Sequence, residues 1–154
     1  MKKSFWFICL LFLMGLSTFL SHCSYTAPFR RVESISQDAR VILTLSAVEH
    51  QKDQRKPFFD DTKRVLADLP NHAGLVGYSY RFQLLGNKAW TMTAWKDEAS
   101  RDQFSQSPVH VSAVRNSHTT AQNMRFMSVT VPASSLPISW DEAIRLLNTA
   151  PAYE

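Results

Sequence analysis

The sequence predicts an α+β fold of the ferredoxin-like, split β-α-β type. The prediction rests on two observations. Segments with strand-like patterns alternate with segments of helical spacing in the order β-α-β-β-α-β. The two middle strands are separated only by Gly86-Asn87, a pair that fits a tight antiparallel hairpin. One domain is therefore expected over residues 39–150, with an extra helix at its C-terminal end.

The first half of the domain predicts a strand, a helix and a second strand. Residues 40–49 are rich in β-branched and aliphatic side chains on both faces, as in a strand covered on both sides. Residues 57–69 carry apolar side chains at helical spacing, with Pro57 in the first turn and Pro70 as the stop. Residues 75–85 alternate in polarity and predict the second strand.

The second half repeats this order. Residues 88–96 predict the return strand of the hairpin, and Asp97 is a good N-cap for the helix that follows. Ser107, followed by proline, predicts the start of a further short helix. Residues 123–131 predict the fourth strand. Residues 139–148 begin with a capping-box pattern and predict the tail helix.

Composition and charge exclude several classes of function. The chain of 154 residues has a formal net charge of +4, and its basic residues are scattered, so no nucleic-acid partner is expected. Its two cysteines, Cys9 and Cys23, precede the domain, which therefore has no disulfide and no thiol nucleophile. There is no HExxH motif and no phosphate-binding glycine loop, so no metal site is predicted.

The N-terminus has the pattern of an export signal or membrane anchor. Two lysines precede an apolar run over residues 5–20. Residues 1–24 are therefore predicted as this leader and residues 25–38 as a linker, with the domain secreted or held outside the cytoplasm. Cleavage with a lipid on Cys23 and a retained span both stay open, although His22 departs from the small residue expected before a lipidated cysteine.

The predicted helices cover one face of the antiparallel sheet. The other face, which carries the apolar first strand, would be bare in a monomer. Bare apolar faces of this kind are normally buried by a partner. The pattern therefore predicts a homodimer through the open sheet face.

Four segments resemble the antibiotic-biosynthesis-monooxygenase-like superfamily, in an uncharacterised branch. They are residues 69–78, 90–99, 104–110 and 131–140. The resemblance implies a dimeric α+β barrel with a ligand pocket between the sheet and the helices. It also implies oxidation of aromatic compounds by O₂ without a cofactor, so no cofactor is expected.

Haem-degrading members of that superfamily use an Asn on the first strand, a Trp and a His. In this chain the first strand holds no Asn, and Phe104 takes the place of the Trp. The resemblance therefore does not extend to haem degradation. Haem or porphyrin binding through His110 stays only as a minor alternative.

The resemblance and the strand pattern together name the residues of a site. His110 is the expected catalytic residue, with a structural histidine as the alternative. The expected ligand-binding residues are Tyr78, Tyr80, Arg81, Trp90 and Phe104.

Two hypotheses of function follow. The first is a monooxygenase-like enzyme that oxidises a small aromatic or apolar compound, with His110 in proton transfer. The second is a non-catalytic, membrane-tethered dimer that binds a hydrophobic ligand.

Overall fold

Four long strands form the centre of the structure, a computed structural model that describes residues 23–153. They are β3 Arg40–His50, β4 Leu75–Gln83, β5 Lys88–Trp95 and β6 Ala121–Pro132. Their order in the sheet is β4-β5-β3-β6, and every pairing is antiparallel. This is the split β-α-β order, so the α+β, ferredoxin-like prediction is confirmed.

Three helices lie on one face of this sheet. They are α1 Arg55–Asp68, α2 Glu98–Ser105 and α3 Pro108–Thr120. Each of the last two begins at the predicted cap: the Asp97 side chain accepts from Ser100 N, and Ser107 accepts from His110 N. These helices pack on a helix-side cluster of buried residues, which consists of Ile42, Leu69, Leu75, Tyr78, Trp95 and Phe104.

The other face of the sheet is covered by the chain's own tail. The tail helix α4 Trp140–Leu147 begins where Ser139 accepts from Glu142 N, as the capping-box pattern predicts. It forms a tail-side cluster with the central strands, which consists of Val41, Leu43, Leu45, Val76, Met92, Ala94, Ala133, Leu136, Ala143 and Leu147.

The expectation of a bare sheet face is therefore wrong. Val41, Leu43 and Leu45 are fully buried within one chain, because α4 folds back over β3 and β6. A homodimer stays a prediction, but a bare sheet face no longer supports it.

The N-terminal segment joins the sheet. Two short strands, β1 Ser24–Thr26 and β2 Arg30–Arg31, pair antiparallel with β4. Between them, Ser79 Oγ donates to the Ala27 carbonyl at 2.7 Å. The predicted linker, residues 25–38, holds all of β2 and most of β1. Strands as short as these pair with an existing edge and show no periodicity of their own in the sequence.

The predicted leader falls almost wholly outside the described residues. Within residues 23–153, no helix is long and apolar enough to span a membrane. A last short strand, β7 Ala152–Tyr153, pairs with β6.

Candidate functional site

A cavity of about 370 Å³ lies between the helix side of the sheet and helices α1 and α3. Its floor comes from the sheet and consists mainly of Thr44, Ser46, Val48, Tyr80, Phe82, Thr91, Thr93 and Trp95. Its roof comes from the helices and consists mainly of Phe58, Phe59, Thr62, Val65, Leu66, His110, Ala113 and Val114. This volume and this apolar lining are typical of a small-molecule site.

The hydroxyl groups of the floor are already engaged with each other. Thr44 Oγ1 lies 3.0 Å from Ser128 Oγ. Ser46 Oγ lies 2.5 Å from Thr91 Oγ1, its direct partner on β5. Because these polar atoms satisfy one another, a bound molecule meets a floor that behaves as largely apolar.

His110 places a titratable ring in the cavity wall. Its Nδ1 lies 3.0 Å from the Ser105 carbonyl oxygen, and an N–H must donate this hydrogen bond. The neutral ring therefore leaves Nε2 as an acceptor. Burial lowers the pKa of His110, with the charge of His72 acting in the same direction and the Ser105 hydrogen bond opposing both. A neutral imidazole with a basic Nε2 suits proton transfer.

The lowered pKa predicts how pH changes stability. Unfolded His110 takes up a proton near pH 6.5, whereas the folded ring stays neutral to lower pH, so unfolding is accompanied by proton uptake. His110 therefore contributes favourably to the free energy of unfolding above about pH 6.5, and this contribution is lost as pH falls from there toward the pKa of the folded protein. We expect His110→Gln to flatten the fall in the free energy of unfolding over this window, measured by denaturant titration at several pH values.

His118 provides the matched control, since it is an exposed histidine on the same helix. We expect His118→Gln to flatten this fall less than His110→Gln does. An unchanged slope in His110→Gln would contradict the assignment of a partly buried, neutral His110.

Phe104 and Tyr80 also line the cavity. The buried Phe104 ring lies between two histidines, with centroids 4.7 Å from His110 and 5.1 Å from His72. Burial raises the pKa of Tyr80, with Tyr25 as a further cause, so its hydroxyl stays protonated. The structure thus brings together His110, Phe104 and Tyr80 of the residues that the sequence named.

The other three named residues are placed differently. Tyr78 is part of the helix-side cluster, where its hydroxyl accepts from Arg30 Nη1 at 3.3 Å. Arg81 and Trp90 are paired across β4 and β5. Although both border the cavity, strand alternation points their side chains to the opposite face from Tyr80, and Trp90 packs against the tail-side cluster.

An aromatic pair at the start of α1 belongs to the site and was not among the residues predicted from the sequence. Phe58 and Phe59 line the cavity and contact each other edge to face at 5.3 Å. Phe59 also meets Phe82 at 5.2 Å, and His50 packs behind the pair. The sequence carries a signal for this pair. Two consecutive residues of a helix cannot both lie on one narrow apolar stripe, so one of the two phenylalanines was expected to lie off the stripe.

Two charged residues at the cavity, Arg101 and Asp61, are held by partners. Arg101 Nε and Nη2 both approach Asp102 Oδ1, at 2.8 and 2.7 Å. Asp61 is buried, accepts from Asn116 Nδ2 at 2.9 Å and pairs with Arg64, which fixes α1 against α3. Over residues 23–153, no three His, Cys, Asp or Glu side chains are grouped closely enough to hold a metal ion.

The sequence matches no protein-family model and no curated protein. Solved structures do match. A "putative monooxygenase" of Fusobacterium nucleatum has a TM-score of 0.62 and 12% identity, over 70% of this chain and 49% of that one. A "putative monooxygenase" of Lactobacillus acidophilus has a TM-score of 0.53 and 10% identity, over 77% of this chain and 52% of that one.

A conserved protein of Methanosarcina mazei has a TM-score of 0.54 and 17% identity, over 60% of this chain and 94% of that one. The match spans about half the length of each of the two monooxygenase-like proteins. At such low identities the likeness shows the fold alone. The chain therefore has the same α+β fold as these proteins.

Proposed function

We propose that the protein binds a small aromatic or apolar molecule in this cavity and that His110 exchanges a proton with it. One observation carries the proposal. A neutral imidazole, with Nε2 as acceptor, lines a largely apolar cavity. The aromatic rings of Phe58, Phe59 and Phe82 suit a flat, aromatic ligand.

The reaction that fits is oxidation by O₂ without a cofactor. Nε2 of His110 takes the proton of an acidic hydroxyl on the ring, and the electron-rich anion then reduces O₂. For 1-naphthol, one oxygen atom enters the ring to give 1,4-naphthoquinone, and the other leaves as water with two hydrogens. Two solved structures of the same fold are described as putative monooxygenases, which supports this reaction class.

The test uses 1-naphthol as the probe, with binding measured by its fluorescence and turnover by O₂ uptake. Asparagine at position 110 keeps a polar group but cannot accept the proton. We expect His110→Asn to bind 1-naphthol with little change and to lose about 10²–10⁴-fold in turnover.

His118→Asn, on the exposed side of α3, is the control and should leave both measurements unchanged. Equal turnover in wild type and His110→Asn would refute the proton-transfer role. Binding without turnover in the wild type would favour the non-catalytic hypothesis, in which the paired floor hydroxyls merely seat a hydrophobic ligand.

A further inference from the structure

We propose that the tip of the β4–β5 hairpin, Leu84-Leu85, contacts a lipid bilayer at the point where the N-terminal apolar run enters it. Leu84 and Leu85 do not line the cavity and belong to a different part of the surface.

Cys23 and the residues that follow it are hydrogen-bonded to this hairpin. Leu84 N donates to the Cys23 carbonyl at 2.9 Å. The next residues of β1 continue the pairing, with Ser24 opposite Gln83 and Tyr25 opposite Phe82. Residue 23 therefore has a set position beside the hairpin tip.

The apolar run ends very close to this position. It covers residues 5–20, follows two lysines and contains no charged residue. Three peptide steps separate Leu20 from Cys23, which span at most about 10 Å of extended chain. The headgroup layer of a bilayer is about 5–8 Å thick on each side. A run inserted in the bilayer therefore brings the hairpin tip to the membrane surface.

The hairpin tip has the side chains that such a position requires. Leu85 is 71% exposed and Leu84 is 44% exposed, and Tyr25 beside them is 45% exposed. These adjacent leucines leave apolar area that no part of residues 23–153 covers. In the interfacial layer of a bilayer, that area is buried among acyl chains and the tyrosine ring suits the headgroup level.

The backbone of the tip is also prepared for contact with lipid. The Arg55 guanidinium donates to the carbonyls of Gly86, Leu84 and Gln83, at 2.6, 3.0 and 3.4 Å. Carbonyl groups in a turn otherwise depend on water, and losing that water without a replacement is costly. Arg55 supplies the replacement and adds a cation that anionic headgroups attract.

The experiment measures depth with an environment-sensitive label. The full chain, with Cys9→Ser and Cys23→Ser, is reconstituted in vesicles of phosphatidylethanolamine and phosphatidylglycerol. A nitrobenzoxadiazole label is attached at Leu85→Cys, Val111→Cys or Leu13→Cys, in separate samples. Nitroxide-labelled lipid then quenches labels in the bilayer, and aqueous iodide quenches labels in water.

Val111 is the matched control. It is an exposed apolar residue near the start of α3. In this region Phe104 stacks on Trp95, the last residue of β5, whereas the hairpin tip adjoins the first residue of β5. We expect lipid quenching of the Leu85→Cys label to exceed that of the Val111→Cys label about threefold, as for a group at the acyl boundary. The Leu13→Cys label should show strong lipid quenching.

Three outcomes would overturn the proposal. Iodide quenching of the Leu85→Cys label as strong as at Val111→Cys would place the tip in water. Protection of the Leu85→Cys label from both quenchers would indicate burial against a second copy of the chain. A Leu13→Cys label that lipid does not quench would remove the premise and overturn the proposal as well.

Discussion

We expect Trp95→Ala to lower the free energy of unfolding by about 3–5 kcal/mol, the usual cost of truncating a buried aromatic ring to alanine. Trp95 has no exposed surface and is the largest of the fully buried side chains in residues 23–153. Its ring stacks on Phe104 at 5.1 Å, and its Nε1 donates to Thr93 Oγ1 at 2.9 Å. The substitution removes both contacts and leaves a void beside the existing cavity.

Denaturant titration of residues 23–154 measures the loss. Trp140→Ala is the control, because that ring is only partly buried on the tail helix, and its truncation should cost clearly less. Trp95→Phe should fall between wild type and Trp95→Ala, since it keeps a ring for Phe104 but loses the N–H. If Trp95→Ala cost no more than Trp140→Ala, the placement of Trp95 as a fully buried member of the helix-side cluster would be wrong.

Trp95 also connects the core to the candidate site. It stacks on Phe104, and Phe104 in turn lies 4.7 Å from the His110 ring. Because each ring is packed against the next, the position of His110 depends on buried aromatic area rather than on hydrogen bonds alone. This explains how a histidine on the first turn of α3 is held at the cavity wall.

The sequence predicted the order of elements because each element carries a local signal. The caps at Asp97, Ser107 and Ser139 mark helix starts that the structure reproduces. These helix starts were thus predicted from hydrogen-bonding groups within a few residues of each other.

Features that depend on distant residues were not predictable in this way. The register of β4 shifts between Leu75 and Gly77, so Val76 lies in the tail-side cluster and not on the face of Tyr78. A β-bulge of this kind reverses strand alternation and has no reliable sequence signal. The coverage of the open sheet face is another example, because a capping box indicates that a helix begins and not where it packs.

The candidate site also combines features that have a local sequence signal with features that depend on distant residues. His110 entered the prediction by resemblance, and its contact with Ser105 depends on how α2 turns into α3. Arg81 and Tyr80 were both assigned to one pocket, although neighbours on a strand point to opposite faces. Strict use of alternation would have kept Tyr80 and removed Arg81.

The second substitution with a large expected effect on stability lies in the tail helix α4. Leu147 is 1% exposed and lies in the tail-side cluster with Leu43 and Leu45. Arg125 holds the end of the helix, where its Nη1 donates to the carbonyls of Asn148 and Ala150. We expect Leu147→Ala to lower the free energy of unfolding by about 2–5 kcal/mol, because the rigid sheet beneath cannot collapse into the void.

Leu85→Ala is the matched control, since it is the same substitution at a site 71% exposed. Its effect in the chain without leader should stay within about 0.5 kcal/mol. Sedimentation of both variants adds a second readout. A loosened α4 uncovers apolar sheet, so Leu147→Ala should associate at concentrations where Leu85→Ala does not. Equal stability and equal mass for the two variants would show that α4 is not what covers this face.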